Sequence, residues 1–230
     1  MTSWARTFGS SIGTKSLMAL SGLALLFFVI AHLLGNLQIY LGPEAINAYG
    51  HLLKSLPELL WTMRIGLAAM FLLHISTAIR LTALNRSARP VAYRKSEPQV
   101  AGVAARSLIA TGLLILAFVL FHLAHFTLGT VDPSSFHHVD EMGRHDVFRM
   151  VVTGFSNPLY TGIYVVAMIV LGFHLWHAIA SLFQTLGLSH PRFRPLIEKV
   201  GKALAILLVL GNISIPLSIL AGIVRLKTGG

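Results

Sequence analysis

The chain has 230 residues, 55% of them hydrophobic and only 11% charged, with a formal net charge of +10 and a mean hydropathy of +0.74. Such usage excludes an ordinary soluble domain and points to a membrane protein. With no cysteine anywhere, it also excludes disulfides, thiolate catalysis, iron–sulfur ligation and cysteine-type zinc sites within the chain.

Charges are absent from Ser16 to Pro43, Ile65 to Ile79, Ser107 to Val131, Met150 to Pro191 and Ala203 to Val224. A spanning helix needs about 20 apolar residues at about 1.5 Å rise each. The runs therefore predict five spans, near 17–40, 59–83, 104–129, 158–186 and 202–225. No Gly/Ser linker, charge block or low-complexity tract divides them, so 1–230 reads as one all-α transmembrane bundle.

The first span is too long for a signal-peptide apolar region and lacks a small-residue cleavage pattern, so it reads as a retained helix. It carries His32. The segment LGPEAINAYGHLLKSLPELLW, Leu41 to Trp61, mixes Pro, Glu and Asn with apolar residues at helical spacing and is expected to lie along the membrane interface. The second span carries His74. The third holds FHLAH, Phe121 to His125, and the fourth FHLWH, Phe173 to His177. Between these two, the longest loop, Thr130 to Pro158, reads as too polar to enter the bilayer. Pro216 falls inside the fifth span, where it is expected to kink the helix and free the carbonyl of Asn212.

With five spans, the amino terminus, the second connection and the fourth share one side. That side carries 12 Lys and Arg against Glu97 and Glu198, and the other has 6 basic and 6 acidic residues. The positive-inside rule then places the amino terminus in the cytoplasm and the carboxy terminus outside. The basic residues sit in loops and are not interleaved with aromatics on one polar face, so nucleic acid is not the expected partner. The lipid bilayer is.

Of eleven histidines, five (His51, His137, His138, His145 and His190) lie in loops where water satisfies them. Six lie within the spans: His32, His74, His122, His125, His174 and His177. Polar groups at that depth are costly and mark functional sites, the bland alternative being a hydrogen bond between helices. Counting along the helices puts His32 and His122 at one level, about 23 Å from the inner surface, and His74 and His174 at a second, about 6–10 Å further in. Zinc wants further ligands, and no Asp or Glu lies in any span. Haem iron needs only two axial donors. Two bis-histidine b haems at different depths are the economical reading, and they suit a protein that exchanges electrons with a quinone. Gly22, Gly35, Gly66, Gly112 and Gly172 give weak support, as places where a macrocycle can approach the backbone.

At this point the residues carry a resemblance. The chain resembles the single-subunit, five-helix, dihaem cytochrome b membrane anchor of bacterial succinate dehydrogenases and fumarate reductases, over almost its whole length. The likeness rests on a His near the outer end of the first span followed by EAINAYGHLLKSLP, Glu44 to Pro57; on FLLH of the second span; on the run from Arg106 to His122; and on FHLWHAIASLFQTLG, Phe173 to Gly187. The resemblance implies His32 and His122 as axial ligands of an outer haem b and His74 and His174 as those of an inner one. It implies a flavoprotein subunit and an iron–sulfur subunit on the cytoplasmic side, electrons passing from them through two haems to a quinone, menaquinone in this type of anchor. The place implied is the bacterial cytoplasmic membrane, with succinate handled on a partner subunit. His125 and His177 are not the ligands in this reading and are expected to hydrogen-bond or to pack.

Asn36, Gln38, His51 and Glu58 are the residues considered for a quinone site at the outer end. Two other readings stay open. One is the cytochrome b subunit of a nitrate reductase, hydrogenase or formate dehydrogenase. The other is a metal or proton transporter with a histidine relay, which ought to bring acidic residues or broken helices into its core.

Overall fold

The computed structural model describes residues 10–87 and 100–226, with the backbone alone over 100–106. Among these residues the chain is helical, and the only β pairing is an isolated bridge between Val139 and His145. Five helices are long and apolar enough to cross a membrane, so the protein is a multi-pass helical bundle. The basic residues Arg6, Arg89, Arg94, Lys95 and Lys227, and Glu97 with them, lie outside the described residues, as does the side chain of Arg106.

Helix α1, Ser11–Asn36, starts six residues before the expected span because Ser10 caps it, its hydroxyl accepting from the Gly13 amide at 3.0 Å. A 3₁₀ turn, Leu37–Leu41, ends it, and Gly42, at φ 99°, turns the chain into α2, Pro43–Lys54. Pro57 opens α3, Pro57–Ser87. The third span is α4, Val100–His122, continued by a π-helical turn over Leu123–Thr127. Short α5, Pro133–Phe136, and α6, Val147–Ser156, follow. Asn157 caps α7, Pro158–Thr185, and Gly187, at φ 74°, closes it. The last helix, α8, Arg194–Leu220, starts eight residues before the expected 202. Its basic first turns lean on neighbours: Arg194 pairs with Glu198 at 2.9 Å, and the Lys202 ammonium sits 5.2 Å over the Trp176 ring.

The spanning helices bury little against one another. Leu20, Phe27 and Leu34 of α1, Leu72 and Ile79 of α3, Leu113 and Leu120 of α4, and Leu207 and Leu210 of α8 are all exposed. In water this would be a large apolar patch; in a bilayer it is the lipid-facing surface. Packing is closest within three pairs, α7 with α8, α1 with α3 and α4 with α7. Between α1 and α4, and between α3 and α7, backbone approach is sparse. The bundle is thus two helix pairs, α1/α3 and α4/α7, facing one another, with α8 against α7.

The last third of the loop expected to be too polar to enter the bilayer forms an apolar helix buried against protein. In α6, Phe148, Met150, Val151, Val152 and Phe155 are buried, packed with Ile39, Ile46, Tyr164, Ile215 and Ile219 into a core that closes one end of the bundle. This helix is amphipathic: its apolar face is buried while Arg149 and Ser156 stay exposed. Polar bonds pin this cap. Asn47 of α2, 2% exposed, accepts from the Phe148 amide at 2.9 Å and donates to Asp146 at 3.1 Å and Asp140 at 3.3 Å. Arg144 reaches Asp140 at 2.7 Å and grips both Glu44 oxygens at 2.9 and 2.7 Å. The bonds from Arg144 hold the Glu44 carboxyl below its usual range, and those from Arg144 and the Met142 amide do the same for Asp140, outweighing the opposite effect of burial.

Candidate functional site

The bundle brings the four mid-span histidines together two by two. His32 of α1 and His122 of α4 stand edge to face with ring centroids 5.7 Å apart, and His74 of α3 and His174 of α7 with centroids 6.5 Å apart. Each pair joins one helix of α1/α3 to one of α4/α7, across the gap where the backbones do not pack. The layers are well separated. On α1 the residue beside His74 is Gly22, ten positions before His32; on α4 the residue bonded to His174 is Thr111, eleven before His122. Either count gives a separation of about 15 Å. The expected 6–10 Å was too small because α1 and α4 begin earlier than the charge-free runs suggest, so residues were counted from the wrong end points.

Hydrogen bonds fix the tautomers of one layer. The Thr111 hydroxyl lies 3.1 Å from His174 Nδ1 but donates its own hydrogen to the Ser107 carbonyl at 2.7 Å. His174 must therefore donate from Nδ1. His74 Nδ1 lies 3.3 Å from the Met18 carbonyl, which can only accept, and 3.4 Å from the Ser21 hydroxyl, which donates to the Leu17 carbonyl at 2.8 Å. His74 likewise carries its hydrogen on Nδ1. Both rings keep the Nε2 lone pair free, the state of a metal-ligating histidine whose other nitrogen is tied by an outer partner.

In the other layer, His122 Nδ1 lies 3.2 Å from the Tyr164 hydroxyl. His32 is stacked on Phe28 at 5.3 Å and is exposed in the chain alone, and its ring has no hydrogen bond among the described residues. A mid-span imidazole facing hydrocarbon without a partner is unfavourable. Its edge-to-face neighbour across the bundle is His122.

Two imidazoles binding opposite faces of one metal stand roughly 6 Å apart, centroid to centroid, given metal–nitrogen bonds of about 2.0 Å. The observed 5.7 and 6.5 Å bracket that spacing. No group of three or more His, Cys, Asp or Glu able to hold a bare ion occurs among the described residues, whereas an axial pair is what a planar tetradentate ligand requires. Two of the five glycines noted in the sequence lie at this site. A Cβ on Gly22 would stand 3.1 Å from His74 Cε1, and one on Gly112 3.7 Å from His174 Cε1. Gly35 instead seats Tyr49 and Gly172 seats Val209, while Gly66 faces open space.

The second histidines of the two five-residue motifs part company. His125 is 2% exposed, and its Nδ1 lies 3.2 Å from the Tyr164 hydroxyl. His177 is half-buried, and its ring has no hydrogen bond among the described residues. Of the four residues considered for a quinone site, Asn36 is half-buried and donates to the His32 carbonyl at 2.7 Å, Gln38 is half-buried, and His51 and Glu58 are exposed. No hydrogen bond or ion pair links the four to one another.

Sequence reasoning missed Tyr164, whose phenol in a charge-free run had to find a polar partner, and Asn47, whose partners lie about a hundred residues away in the acidic loop. The fold and site together define a five-span membrane bundle with two layers of paired histidines. Comparison with protein-family models, with curated proteins and with solved structures finds no match to the chain.

Proposed function

We propose that the chain is the membrane-anchor cytochrome b subunit of a succinate:quinone oxidoreductase. His32 with His122 and His74 with His174 would each hold one haem b, linking a succinate-oxidising flavoprotein and iron–sulfur partner to a quinone, menaquinone by resemblance. The observation that carries the reading is the pairing itself: four imidazoles from four helices, in two layers about 15 Å apart, at the spacing two axial ligands require.

Bound haem supplies reversible one-electron transfer. The chain's own residues orient the rings. Thr111, Ser21 and the Met18 carbonyl hold Nδ1 of the second layer and leave Nε2 free, and the aromatic rings of Phe28 and Phe118 lie beside His32 and His122 in the first. With α2 and α6 on the outer side, as the loop charges suggest, the His32–His122 layer lies nearer the outer surface and the His74–His174 layer nearer the cytoplasm, in the bacterial cytoplasmic membrane.

The test is a visible spectrum and haem assay of the purified protein, followed by addition of succinate to membranes that contain it. Two low-spin b haems per chain, at least one reduced by succinate, support the proposal. Absence of a Soret band overturns it, and reduction by formate or hydrogen but not by succinate assigns the chain to another quinone-linked enzyme.

A further inference from the structure

We infer that Tyr164 and His125 are positioning residues for His122, forming a hydrogen-bond chain that decides which nitrogen of His122 is left for iron and tunes that iron's potential. The inference rests on the haem reading above.

The Tyr164 hydroxyl lies 3.2 Å from Nδ1 of His122 and 3.2 Å from Nδ1 of His125. A phenol has one hydrogen, so it cannot donate to both rings; were it to accept from both, its own hydrogen would have no acceptor among the described residues, so it donates to one ring and accepts from the other. The two imidazoles are therefore in opposite tautomers, and the chain runs in one of two directions. Were Tyr164 to donate to His122, that ring would carry its hydrogen on Nε2 and have no lone pair for a metal. In the other direction His122 donates from Nδ1, Tyr164 donates to His125, and His122 Nε2 is free. His125 then carries its hydrogen on Nε2.

His125 is otherwise hard to account for. Its ring is stacked on Phe126 at 4.0 Å and lies 4.7 Å from Tyr160, with Phe121 and Tyr164 also beside it, and its Nε2 is buried with no hydrogen-bond partner among the described residues. A residue there only to pack would be a Phe or Leu, with no such atom left over, and an unsatisfied buried group costs about 1–3 kcal/mol. What the imidazole provides that a Phe does not is the Nδ1 acceptor for Tyr164. His122 and His125, three residues apart on one helix face, both reach the one phenol, beside a π-helical turn over Leu123–Thr127 closed by the Leu128 amide on the Leu123 carbonyl at 2.8 Å, and such turns recur at functional sites. Gly154 gives room to the ring, since a Cβ there would stand 3.2 Å from Nε2.

The other layer has no such relay. Its Nδ1 partners are Thr111, Ser21 and a carbonyl, and the hydroxyls spend their hydrogens on their own helices. The effect of Tyr164 and His125 therefore belongs to one haem, and the second haem reports whether a variant is folded. A hydrogen bond drawing on Nδ1–H makes Nε2 a stronger donor and favours ferric iron, so losing it raises the potential.

The test is a redox titration of the haem spectrum of the full chain in its complex, for wild type, Tyr164→Phe, His125→Phe and His125→Gln. Tyr164→Phe is expected to raise the potential of one haem alone, by about a tenfold change in the ferric–ferrous equilibrium, which is about 59 mV for one electron. His125→Phe shifts the same haem in the same direction, and His125→Gln, whose amide oxygen still accepts from Tyr164, returns it towards wild type. A two-haem protein in which Tyr164→Phe moves neither potential overturns the inference. So does a His125→Gln shift as large as that of His125→Phe, because the role is then packing. A wild type without haem overturns the haem reading itself, and this inference with it.

Discussion

Replacing Gly22 by Ala isolates the geometry of one proposed histidine ligand, His74, without touching it. The new methyl carbon would stand 3.1 Å from His74 Cε1, against an ordinary carbon–carbon contact of about 3.5–4.0 Å. The ring must retreat by about 0.4–0.9 Å. It cannot simply swing aside, because Nδ1 is held by the Met18 carbonyl at 3.3 Å and approached by Ser21 at 3.4 Å. Metal–nitrogen distances tolerate about 0.2 Å, so the retreat exceeds what ligation allows, and a loss of about 10–100-fold in affinity for the group held by His74 and His174 is expected. Gly112→Ala is the matched control. Its Cβ would meet His174 Cε1 at 3.7 Å, an ordinary contact, and Gly66→Ala meets nothing within 4 Å. The assay is haem per chain and the midpoint potential of each haem in the purified protein, with circular dichroism to verify the helices. Gly22→Ala should drop to one retained haem or shift one potential, with both controls at wild-type values. An unchanged two-haem spectrum in Gly22→Ala would show that His74 is not held where the argument needs it.

On the proposed haem reading, His174→Ala should remove one haem while His177→Ala keeps both, since the His174 and His74 rings stand 6.5 Å apart and the His177 ring has no hydrogen bond among the described residues; haem loss in the second variant alone reverses the assignment. Asn47→Ala strands the Phe148 amide and two carboxylate contacts, so the α6 cap should lose about 2–4 kcal/mol of protection, read as faster hydrogen exchange at α6 with the spanning helices unaffected. The Glu44–Arg144–Asp140 cluster makes the same cap acid-sensitive. Both carboxyls titrate below their ordinary values of 4.5 and 3.8, so their contribution is present above those values and lost as pH falls through the depressed ones. Proteolysis of the 130–147 segment should accelerate as pH falls through the depressed values, whereas Arg144→Gln should be cleaved fast already at neutral pH and lose that acid-dependent step; an acid step unchanged in Arg144→Gln rejects the cluster as its cause.

The bare sequence determined the five apolar spans, because a bilayer admits only backbones that satisfy their own hydrogen bonds and so forces long charge-free runs that are visible in one dimension. It also determined that histidines lie at two depths on alternate helices, since a constant rise per residue turns position into depth. The ends of those helices were less legible. Caps at Ser10 and Asn157 and stops at Gly42 and Gly187 act through single bonds and single dihedral angles, so the charge-free runs misplaced the starts of α1, α4 and α8, and with them the spacing of the two layers. Only the tertiary structure decided that α6 is buried rather than a solvated loop, that FHLAH and FHLWH use their second histidines differently, and that Tyr164 stands between two of the rings. Those outcomes depend on which face of one helix meets which face of another, between residues 39 to 101 positions apart. Periodicity along a chain gives the faces; it does not say which faces meet.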